Sequence, residues 1–142
     1  MAKKGLPTLI RLHQRQLDEK RRMLAELEQL RAELDTKIIA LDAEVARERV
    51  AAAASPEVLA QFAAYFDGAR QRRDTMLRTI DELAPKIEGA ANAVAAAFQD
   101  VKRYEIAVDL KKRQQQAAEA RVEQGDLDEI SITQHRRRRD KT

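Results

Sequence analysis

The chain has no cysteine and no tryptophan, only two histidines, and five aromatic residues among 142. Without cysteine there is no disulfide framework and no thiolate metal site. His13 and His135 are far apart in sequence, which argues against a transition-metal centre. Aromatics at 4% beside charged residues at 36% are not the composition of a compact globule. Glycine and proline are also scarce, so little interrupts long helices. No apolar run approaches the length of a membrane span, and "MAKKGLPTLIRLHQ" lacks the apolar core of a secretory signal, so the chain reads as cytosolic. A P-loop, a Gly-rich dinucleotide loop, a nucleophile elbow and a zinc signature are missing as well. Acids and bases intermingle, as in "QLDEKRR", where pairing along a helix surface is the ordinary explanation. Neither enzymatic activity nor a metal or cofactor is expected.

What remains is rich in Ala, Leu, Glu, Arg and Gln, the composition of long helices and coiled coils. The net charge is +3, but residues 133–142 carry Arg136, Arg137, Arg138, Arg139 and Lys141 against Asp140, a net of +4. The preceding 132 residues therefore sum to −1, and the body has no broad positive surface for a phosphate backbone.

Heptads organise the chain. With position a at Ile10, the a series runs Ile10, Leu17, Leu24, Arg31, Ile38, Val45, Ala52, with Leu27, Leu34 and Leu41 among the d residues. From Leu59 a second seam continues through Phe66, Arg73, Ile80, Ile87, Val94, Val101 and Val108, with Phe62, Ala69, Met76, Leu83, Ala90 and Tyr104 at d. His13 falls at a d position, where it reads as a tolerated polar core residue. Between the seams lies "AAAASPEV": Ser55 can cap a new helix and Pro56 suits its first position.

These signals predict an all-α fold, a long antiparallel two-helix coiled-coil hairpin with an overhanging C-terminal helix and a basic tail. Residues 1–124 form the hairpin, with one helix over about 8–53, a turn at 53–55 and a second helix over about 56–124. Folding back at the turn pairs residues whose numbers add up to 107, such as Val45 with Phe62 and Leu41 with Phe66. The same count sets Tyr104 opposite Lys3 and leaves residues from about 105 onward without a partner, a seam open to self-association. Such a rod has no obvious concave pocket. Arg31 and Arg73 fall at a, opposite Met76 and Leu34; either they snorkel out along their stems or they fix register as polar core residues. Pro85 falls at f, on the solvent face, and predicts a bend in a continuous helix. Gly125 offers a stop, and "DLDE" a weak capping box for a short helix or a disordered tail over 125–142.

Phe62, Tyr65 and Phe66, three of the five aromatics, lie in one helical turn just after the reversal. Phe62 and Phe66 fill core positions, and Tyr65 flanks them at g, so the group serves packing, partner binding or both.

The opening "LPTLIRLHQRQLDEKRRMLAELEQLRAEL", the hairpin with its small-residue turn, the extended second helix and the closing "LDEISITQHRRRR" together resemble the FliJ family of the bacterial flagellar type III export apparatus. The resemblance implies an antiparallel coiled coil similar to the gamma-subunit stalk of rotary ATPases. It implies an open end that inserts into the hexameric ring of the export ATPase FliI, and a tip side that meets the cytoplasmic domain of the export gate protein FlhA. Escort of export chaperones and a peripheral place at the cytoplasmic face of the inner membrane are implied as well. By position, Phe62, Phe66, Ala69 and Arg73, with Tyr65 beside them, would form the gate-binding surface. Ile10, Leu12, Val101 and Val108 would lie at the ATPase-binding end. Arg136, Arg137, Arg138 and Arg139 would be a docking segment of the tail. A coiled-coil scaffold, or a nucleic-acid-binding protein acting through the arginine tail, is the alternative reading.

Overall fold

The computed structural model describes the backbone of residues 2–141 and the side chains of residues 5–141. Two helices account for nearly all of it: α1, Ala2–Ala52, and α2, Pro56–Asp140. The reversal is built as the sequence predicts. The Ser55 hydroxyl accepts a hydrogen bond from the Val58 N–H at 3.2 Å, and the Ser55 carbonyl accepts one from the Leu59 N–H at 3.0 Å. Pro56 opens α2, where its missing N–H costs nothing. Ala53 and Ala54 donate back to the Val50 and Ala51 carbonyls at 3.3 Å each, a tight finish to α1 that uses no left-handed residue.

The chain divides into two units. One is Gln14–Phe98; the other combines Met1–His13 with Gln99–Thr142. In the first, the two helices pack antiparallel along the predicted seam: Leu17, Ile38, Leu41, Ala52, Ala69 and Leu83 are buried, and most other a and d residues are half-buried. The exceptions are informative. Lys20, Arg31 and Glu48 are exposed because their charges stay in water, and Leu59 is exposed beside the turn. No polar or charged residue is buried among the described residues. In the second unit Val101 is buried, at 4% exposure, among half-buried Leu6, Leu9, Ile10, Tyr104 and Val108.

The structure departs from the sequence expectation at three places. Cross-helix contacts fall further along α2 than numbers adding up to 107 would place them. Asp42 meets Arg73 rather than the level of Tyr65, and His13 meets Tyr104 rather than Val94. The displacement is about one heptad along α2, so a positions still face d positions but with partners one repeat further on. The lean of helical side chains toward their own N-termini adds only about one position on each helix. Lys3, the expected neighbour of Tyr104, has its side chain outside the described residues. Secondly, α1 starts at Ala2 and takes in Pro7. The terminal unit therefore extends its pairing to Val108 and Lys111, and continuous exposure begins at Lys112 instead of about 105. Thirdly, α2 does not stop at Gly125 but runs to Asp140. Gly125 keeps an ordinary helical φ, and its cost of about 1 kcal/mol relative to alanine is too small to end a helix of good formers. A bond from the Gln124 side chain to Asp128 at 3.1 Å spans the glycine.

Pro85 lies inside α2 without ending it. It lacks the N–H that would reach the Asp81 carbonyl, but it sits on the exposed face, where water can serve that carbonyl.

Candidate functional site

Close to the reversal, Phe62 and Phe66 are placed by one helical turn of α2, their ring centroids 5.9 Å apart; Phe62 and Tyr65 are 6.2 Å apart. All three are half-buried. The Arg49 guanidinium in the last turn of α1 lies 5.9 Å from the Phe62 centroid and 5.7 Å from that of Phe66. It covers both rings by a cation–π contact and also complements the C-terminal end of the α1 dipole. Sequence reasoning missed Arg49; its signal was a cation at e in the last turn before an aromatic cluster.

The Tyr65 hydroxyl is sealed from solvent although the residue is only half-buried, and it has no hydrogen-bond partner of good geometry. Its pKa is raised above the ordinary tyrosine value, first by desolvation and then by the Glu44 and Glu48 carboxylates across the pair, with Arg72 acting in the opposite sense. Ala69 is buried in the seam. Arg73 neither snorkels freely nor sits as a core polar residue. Its Nε donates to Asp42 Oδ1 at 3.0 Å and one terminal nitrogen donates to Oδ2 at 3.4 Å, a two-pronged bridge between α1 and α2. The hydrogen bond and charge of Asp42 raise the Arg73 pKa. Asp42, at e beside that a-position arginine, was not singled out from sequence. The predicted gate-side residues are thus brought together, but largely as packing among themselves.

The helix pair has a shallow, open groove rather than an enclosed pocket. Lys37, Leu41, Glu44, Gly68, Arg72 and Met76 are among the residues bordering an open groove of about 680 Å³ in unit Gln14–Phe98. Two helices cover only one face of each other, so the shoulders of their seam stay open.

In the unit containing both ends of the chain, His13 stacks on Tyr104 with centroids 4.6 Å apart and 24° between planes. Both are d residues, and the pairing makes His13 a flat, half-buried packing surface. Ile10 and Val108 are half-buried and Val101 is buried, so of the four predicted ATPase-side residues only Leu12 is openly exposed. From Lys112 to Lys141 every residue is exposed, including Val122, Leu127, Ile130 and Ile132, each more than half accessible, and Arg136 to Arg139. No described group of three or more His, Asp or Glu residues could hold a metal ion. No helix of the described residues is long and apolar enough to cross a membrane.

Seam, capped turn and surplus helix define a class, the antiparallel two-helix coiled coils that work through the surfaces they present. Residues 3–140 match the family described as the flagellar FliJ protein, and the chain belongs to that family. It is thereby a component of the flagellar export machinery. Flagellar FliJ proteins from two strains of Caulobacter vibrioides are each 28% identical to it over 129 residues, covering 91% of this chain and 93% of theirs. No solved structure matches it.

Proposed function

We propose that the chain works as a stalk of the export apparatus, with its terminal unit docking in the hexameric ring of a FliI-like export ATPase and its turn-proximal region meeting the cytoplasmic domain of a FlhA-like export gate. The observation that carries the reading is the exposed α2 segment beyond Lys111, which joins four openly accessible aliphatic residues to four consecutive arginines. A single exposed helix of this kind suits insertion between subunits that cover its apolar side chains. The arginines would steer it to an acidic ring surface and hold it there electrostatically. Leu12 adds apolar surface on the same unit.

On the gate side, Phe62, Tyr65 and Phe66 would present their ring edges while Arg49 and the Arg73–Asp42 bridge hold the cluster in place. Ala69 contributes by letting the helices approach, since it is buried. Export chaperones are further partners of the same role.

The test is truncation after Lys111, assayed with the purified export ATPase at two salt concentrations. Loss of ring binding and of ATPase stimulation, with the remaining helix pair still folded, is expected. A truncated chain that binds and stimulates like the full one would sink the reading.

A further inference from the structure

The two flanks of unit Gln14–Phe98 are unequal. In an antiparallel pair the e positions of both helices border one flank and the g positions the other. On the e flank α1 presents Arg21, Glu28, Asp35, Asp42 and Arg49, and α2 engages Asp42 and Arg49 through Arg73 and the phenylalanines. On the g flank α1 presents Met23 and Leu30, one heptad apart and 49% and 43% exposed.

Two open grooves lie on this g flank. One, of about 680 Å³, has Leu41 and Met76 in its floor. The other, of about 390 Å³, is floored by Met23 and Leu27. Each is bordered by a glycine of α2, Gly68 in the first and Gly89 in the second, and a spacing of three heptads puts both on the same face. Neither glycine has a positive φ, and a Cβ built at either meets nothing within 4 Å. Neither the backbone nor the chain's own packing therefore explains them, although each weakens the helix relative to alanine. A missing Cβ admits the close approach of another backbone.

The walls carry mostly positive charge. Lys37 and Arg72 border the first groove, Lys20 and Lys86 the second, and Glu44 is the single acid in either. Glu26, Glu33 and Glu82 line neither groove. A second copy of the chain would bring the same four cations against this flank, so charge disfavours self-pairing there.

We propose that the g flank seats a third helix, an amphipathic helix of a partner protein whose apolar face covers Met23 and Leu30 and whose acidic edges meet Lys20, Lys37, Arg72 and Lys86. Reaching from Gly68 to Gly89 requires about 32 Å of helix, or somewhat more than 20 residues. The seat is independent of the ATPase and gate assignments above.

The experiment places a photo-crosslinking amino acid at Met23, Leu30 or Thr75 on this flank, and at Asp35, Arg70 or Leu77 on the other, in the full chain in motile cells. Adducts are mapped to the residue by mass spectrometry. Labelling several-fold stronger on the g flank, landing on an acidic helical segment of another protein, is the expected result. Combining Gly68→Leu with Gly89→Leu should abolish it while circular dichroism shows unchanged helix content. Equal labelling of both flanks, no labelling, adducts to a second copy of this chain or to a basic or non-helical segment, or indifference to the two leucines would overturn the proposal. An acidic helix from a protein outside the export apparatus would leave this seat standing and count against the stalk role instead.

Discussion

Leu83 and Leu127 lie on the same helix, yet one is 5% exposed and the other 57%. Around Leu83, α2 is held by α1: each turn adds a side chain to the seam, and burial supplies most of the free energy. Around Leu127 none of the described residues covers it, and the helix rests on local terms. These are the helix propensity of its Ala, Gln, Glu and Arg residues and short-range bonds such as Arg113 to Asp109 at 3.1 Å and Gln124 to Asp128 at 3.1 Å. One helix thus contains a packed part and a part whose apolar residues still lack a counterpart. That difference assigns folding to the first and, on the function proposed above, docking to the second.

The contrast is broken or sharpened most strongly by truncating a leucine on each side. Leu41, 7% exposed, loses a packed side chain in Leu41→Ala, and the chain should lose about 2–3 kcal/mol of stability in urea or thermal melts. Leu127→Ala should change it by no more than about 0.5 kcal/mol. Comparable losses at both positions would mean that the far segment of α2 is paired in solution.

A smaller effect is expected at Tyr65. Its pKa is raised in the folded chain, so the folded state holds that proton more tightly than the unfolded one. The corresponding stability is fully present below the ordinary value of 10.0 and is lost as pH rises through the raised one. Tyr65→Phe removes both this titration and a sealed hydroxyl that has no hydrogen-bond partner of good geometry. The variant should melt at or above the wild-type temperature at neutral pH, and the wild type should fall further behind it above about pH 10. Parallel curves for the two proteins would show that the hydroxyl is not held by its surroundings.

The packed part was largely legible in the sequence because its determinants are periodic. The heptads from Leu17 to Val45 and from Phe62 to Val101 mark most of the residues that are buried or half-buried, and Ser55 with Pro56 marks the turn. Register was less legible. A heptad pattern is equally satisfied one repeat further along α2, so Asp42 against Arg73 and His13 against Tyr104 could not be read from spacing. Gly125 misled because a glycine ends a helix only where the backbone turns left-handed, and here it does not. Of the candidate site, the aromatic cluster and the arginine run were visible as composition, whereas Arg49 over the rings and the groove beside Gly68 arise from residues far apart in sequence.

Amide hydrogen exchange along α2, with and without the export ATPase ring, tests the central claim most directly. In the free chain, the amides from Phe62 to Phe98 should exchange slowly and those from Lys112 to Asp140 fast, because the first need the helix pair to open and the second only local fraying. Adding the ring should slow exchange in the second segment. Equal protection of both segments in the free chain, or a far segment that stays fast in the presence of the ring, would contradict the account.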